Sequence, residues 1–107
     1  MKQLPKKVII NNLPFNVVKD KTRAGSNLSY NDTLIRIGTK NASDREILES
    51  FIHEVAEIAM IERGMRTTRD KSQATSTALE YVFVGSHGQF NDVMTDVAGV
   101  LADMLKL

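Results

Sequence analysis

His53 and Glu57 stand four residues apart, with Glu54 between them, in the run Phe51-Ile52-His53-Glu54-Val55-Ala56-Glu57-Ile58-Ala59-Met60. On a helix this spacing leaves the two side chains roughly 40° apart around the axis, at about 100° per residue, on consecutive turns. An imidazole nitrogen and a carboxylate oxygen so placed can bind one metal ion. Glu54 points to a neighbouring face and could act on a water held by that ion. This is the logic of the His-Glu-x-x-His zinc helix, with a carboxylate where the second histidine stands. The competing reading is an exposed i, i+4 pair on the solvated arc of an amphipathic helix.

The chain has two histidines and no cysteine, so histidines and carboxylates must supply the ligands of any metal site. The second histidine lies in Gly85-Ser86-His87-Gly88, a glycine-flanked break just before a further helical pattern. From such a break His87 could swing onto the first helix. His53, Glu57 and His87 would then form a two-histidine, one-carboxylate set with an open position, which suits a catalytic zinc or another divalent metal. Otherwise His87 caps the following helix or faces water. Asp92, Asp96 and Asp103 lie on the polar side of that helix. Asp96, one turn deeper than Asp92, is the best placed to hold the other ring nitrogen of a metal-bound histidine. Singly, each reads equally as part of a solvated acidic face, and Asp92 also suits a helix start.

These residues need elements to carry them. Ser43-Asp44-Arg45-Glu46 is a capping box ahead of an apolar pattern, which predicts a helix from about residue 44 to 63 that stops at Gly64. On its wheel Ile47, Leu48, Phe51, Ile52, Val55, Ile58 and Ala59 form the apolar face, and His53, Glu54 and Glu57 fall in the polar arc. From Gln89 to Leu105, apolar residues at spacings of three and four predict a second helix. Before them, Val8-Ile9-Ile10 and Phe15-Asn16-Val17-Val18 flank a turn-like Asn11-Asn12-Leu13-Pro14, and Leu28-Ser29-Tyr30 and Leu34-Ile35-Arg36-Ile37 flank Asn31-Asp32; both read as hairpins. Residues 67–77 lack a large apolar side chain and read as a polar loop, a plain connection or a lid. Leu79 to Val84 reads as a strand. The expected architecture is α+β: a small antiparallel sheet of N-terminal hairpins packed against two long helices.

A chain of 107 residues with 42% hydrophobic and 25% charged residues fits a single globular domain spanning 1–107. Its net charge of +1 gives no field toward nucleic acid or an anionic membrane. No apolar run approaches the ~18 residues of a membrane span. No signal peptide is expected behind the N-terminal lysines, and a cytoplasmic, phage- or bacterial-type protein is the default.

From Ser43 to Leu105 the chain resembles the compact zincin-like metallopeptidase domains of phages and mobile elements, distant relatives of the ImmA/IrrE peptidases. The resemblance rests on the 53–57 pentad and the Ser86-His87-Gly88 region and, in layout, on a β-meander ending in Leu34-Ile35-Arg36-Ile37 with a second helix beside the site. It implies His53 as first ligand, Glu54 as general base and Glu57 in place of the second histidine. A peptide or protein substrate or partner is in keeping with that resemblance, though no residue of the sequence names one. If the site is catalytic, Tyr81 is a candidate oxyanion stabiliser or, alternatively, a core aromatic. Three functions compete: a zinc-dependent hydrolase or peptidase, a catalytically silent metal-binding protein that acts through a partner, and a metal-free interaction domain.

Overall fold

The computed structural model describes residues 4–68, 81–83 and 85–106. In chain order these form β1 (Lys7–Ile10), β2 (Leu13–Asp20), β3 (Ser26–Ser29), β4 (Leu34–Gly38), α1 (Asp44–Glu62), β5 (Arg66–Thr68), β6 (Tyr81–Phe83) and α2 (His87–Leu105). The class is α+β, as the sequence leads one to expect.

The first hairpin turns on two residues. Asn11 and Asn12 have φ of 50° and 67°. Two successive left-handed residues make the type I′ loop, whose twist matches the flanking strands, and asparagine tolerates that region well. Ile10 therefore pairs with Leu13 and Val8 with Phe15. Pro14 lies within β2, opposite Ile9, ahead of the stretch that pairs with β4.

The sheet is mixed rather than antiparallel. Its order is β1-β2-β4-β3, and β2 runs parallel to β4 with Val17 opposite Ile35. Alternation along a strand fixes which face is buried, and several strand orders satisfy it equally. The observed order is tied by the segment after β2, which crosses the end of β4. Gly38 N–H donates to Gly25 O at 2.8 Å, Thr39 N–H to Asp20 O at 2.9 Å and Lys40 N–H to Arg23 O at 3.0 Å. A Cβ on Gly38 would stand 2.1 Å from Gly25 O, so the crossing requires glycine there. The Asp20 carboxylate accepts from the Thr22 hydroxyl and N–H, which together hold it below the usual carboxylate range.

One face of the sheet forms the core. Val8, Ile10, Phe15, Val17, Ile35 and Ile37 are buried there, while their neighbours Ile9 and Val18 are exposed. Helix α1 packs over β3 and β4, and α2 over β1, with Phe51, Val55, Ile58, Val93 and Val100 closing the interior.

Helix α1 begins as its capping box dictates: Glu46 N–H donates to Ser43 Oγ at 3.2 Å, and Ser43 N–H to Glu46 Oε1 at 3.0 Å. Its end is a Schellman turn. Gly64, at φ +73°, donates to Ile61 O at 3.1 Å, and Met65 N–H reaches Met60 O at 2.9 Å. Thr67 and Thr68, expected in the polar loop, belong to β5, which pairs antiparallel with β6. The rest of that expected loop lies outside the described residues. Among the described residues no helix is long and apolar enough to cross a membrane.

Candidate metal centre

His53, Glu54 and Glu57 of α1 face β3, an edge strand of the sheet among the described residues. Serines and asparagine of β3, with Tyr30 just after it, form one wall of an open cleft, and His53, Glu54 and Glu57 form the other. One ligand atom from each of these three α1 residues lies within 4.8 Å of the other two. Among the described residues no other group of three histidines or carboxylates converges so closely. The His/Glu/Glu group could hold a metal ion.

His53 Nε2 is 3.2 Å from Glu57 Oε2. Two ligands on one tetrahedral zinc, each bound at ~2.1 Å, stand about 3.4 Å apart, so little rearrangement separates this pair from a chelate. His53 is largely open to solvent, with 70% of its side chain exposed, whereas Glu57 is three-quarters covered. A ligand pair with one partner in water leaves an approach for an ion from solvent.

Glu54 differs from the expectation. The helical wheel sets it on the polar arc, yet it is only 5% exposed. The cause is its phase: Phe51, Glu54 and Ile58 succeed one another at three and four residues, along the line that faces the sheet. Burial pushes its carboxyl pKa up and the nearby Glu57 adds to this, while a hydrogen bond from Ser26 and the imidazole of His53 oppose it. The Ser26 bond, Oγ to Glu54 Oε1, is 2.9 Å. A buried carboxylate raised in pKa and beside two potential ligands has the properties of a general base.

His87 does not join the cluster. It is the first residue of α2 and is exposed, because Ser86-His87-Gly88-Gln89 is itself a capping box. Gln89 N–H donates to Ser86 Oγ at 3.2 Å, and Ser86 N–H to Gln89 Oε1 at 2.8 Å. The same Gln89 amide donates from Nε2 to Arg63 O at 2.7 Å, which docks the start of α2 on the end of α1. Arg63 lies ten residues past His53, about 15 Å along a helix axis at 1.5 Å per residue. That docking sets the start of α2 against the C-terminal end of α1.

Asp96 is likewise engaged elsewhere. Its carboxylate receives both Arg63 Nε, at 3.0 Å, and Arg63 Nη2, at 2.9 Å, in a two-point pair that ties α2 to α1. Tyr81 falls in β6, of which only the backbone is described.

Two residues enter the site without any sequence signal: Ser26 and Tyr30. Tyr30 stacks edge-on against Phe15, with centroids 5.6 Å apart, and donates its hydroxyl to Glu62. Burial, with the carboxylate of Glu62 accepting its hydrogen bond and adding a nearby negative charge, pushes the phenol up to about 12. It is therefore a neutral donor at any physiological pH.

No family model matches the sequence, and comparisons with curated proteins and with solved structures return no match.

Proposed function

We propose that the protein holds one divalent ion, zinc being the best suited, between His53 and Glu57, and that it hydrolyses peptide bonds with Glu54 as general base. The observation that carries this reading is the convergence of His53, Glu54 and Glu57 on one side of a cleft, with Glu54 buried beside the two potential ligands. The resemblance of the pentad to zincin-like peptidase helices supports it as well. The ion, when bound, supplies Lewis acidity to a carbonyl and lowers the pKa of a water. Glu54 would accept the proton of an attacking water as the water's oxygen adds to the carbonyl, then return it to the amine as the C–N bond breaks. His53 and Glu57 orient the site, and the open cleft along β3 admits the substrate.

A second reading is a metal-binding protein without hydrolytic activity that acts by engaging a partner. Glu57 favours it, because a carboxylate ligand leaves less positive charge to acidify water than a histidine does. Digestion of labelled casein separates the two. Cleavage that EDTA abolishes and added zinc restores is the expected result. Zinc-loaded protein that leaves casein and a mixed peptide pool intact would overturn the hydrolase in favour of the binding role.

A further inference from the structure

Ser26 opens β3, and its hydroxyl reaches across to α1 to donate to Oε1 of Glu54. Its place does not depend on that bond. Backbone pairing with Ile37 of β4 and the Gly25–Gly38 hydrogen bond fix Ser26 at the crossing described above. A rigid strand therefore presents one hydroxyl to one carboxylate oxygen. Glu54 Oε2 makes no hydrogen bond among the described residues.

A serine hydroxyl has a single proton to donate. With that proton on Oε1, a proton taken up by Glu54 belongs on Oε2: the neutral acid then still accepts from Ser26 through its carbonyl oxygen. Protonation at Oε1 would make the Ser26 hydroxyl rotate to accept instead, and its own proton would lose the partner it has in Glu54. We propose that Ser26 is a positioning residue, which holds Oε1, fixes the plane of the Glu54 carboxylate and reserves Oε2 for proton transfer. This rests on the reading of Glu54 as general base. In the cycle, the water's proton passes to Oε2 as the new C–O bond forms, and from Oε2 to the departing nitrogen as the C–N bond breaks. Ser26 neither gains nor loses a proton.

The test uses the full chain and two independent readouts. With zinc-loaded protein and labelled casein, Ser26→Ala is expected to lower kcat by about 10- to 100-fold, with KM and zinc affinity within about twofold of wild type. Ser26→Thr, which keeps the hydroxyl, should recover most of the loss. In metal-free protein carrying 13C-carboxyl glutamate, the Glu54 signal is assigned by its disappearance in Glu54→Gln. It should move in Ser26→Ala, return in Ser26→Thr and stay in place in Ser29→Ala. A Glu54 signal unmoved by Ser26→Ala, with zinc binding intact, would overturn the role of Ser26 alone. A wild type that binds no zinc would overturn the hydrolase, and the base that Ser26 positions with it.

Discussion

Glu54→Gln is expected to lower hydrolysis by about 10²- to 10⁴-fold, the range that a positioned general base contributes, while zinc remains bound through His53 and Glu57. Glutamine keeps the size of the side chain and can still accept from Ser26, so geometry is retained and basicity is lost. Stability should respond in a defined direction. The Glu54 carboxyl pKa is raised in the folded protein, chiefly by burial, above its ordinary value of 4.5. A raised carboxyl pKa means that its contribution to folding is fully present below that ordinary value. The contribution is lost as pH rises through the folded-state pKa. Metal-free wild type should therefore lose stability relative to Glu54→Gln as pH rises above about 4.5, measured by urea unfolding over a series of pH values. A variant as active as the wild type would remove Glu54 from the chemistry. A stability difference independent of pH would remove the buried charge from the physics.

Phe51→Ala should have the largest effect on the fold. Phe51 is fully buried, at 0% exposure, where α1 meets the sheet, and it occupies the same helical line as Glu54. Truncating such a ring costs about 3–5 kcal/mol, the transfer term plus the cavity left behind. Against a typical net stability of about 5–15 kcal/mol for a whole domain, that is enough to leave the protein close to its unfolding threshold. Loosening α1 from the sheet also loosens the contact that carries Ser26 to Glu54. Phe51→Leu, which keeps most of the volume, should cost much less. Denaturant midpoints check both. Equal losses in the two variants would mean that cavity formation is not what the site feels.

Much of this fold is written locally in the sequence. The Ser43–Glu46 box and Gly64 mark both ends of α1, and the alternation Leu34-Ile35-Arg36-Ile37 marks the buried face of β4 correctly. The strand order is not written there, because parallel pairing of β2 with β4 depends on the backbone crossing at Gly38. Within the candidate site, His53 and Glu57 are brought together as their spacing requires. Glu54's burial was legible in the Phe51–Glu54–Ile58 phase, which the polar character of glutamate obscured. The position of His87 was legible as well: Ser86 and Gln89 repeat the capping-box signature of Ser43 and Glu46, so His87 belongs to a helix and not to a swinging loop. Ser26 and Tyr30 were beyond reach, since their partners Glu54 and Glu62 lie 28 and 32 residues away and meet them only once the helix lies on the sheet.

The most direct measurement is metal content. Purified protein, reconstituted with zinc and dialysed, is expected to retain about one equivalent, as a single open site would. His53→Ala and Glu57→Ala should each lose it, and His87→Ala should keep it. A wild type with no stoichiometric metal, or with metal that survives both His53→Ala and Glu57→Ala, would contradict a site built on this helix.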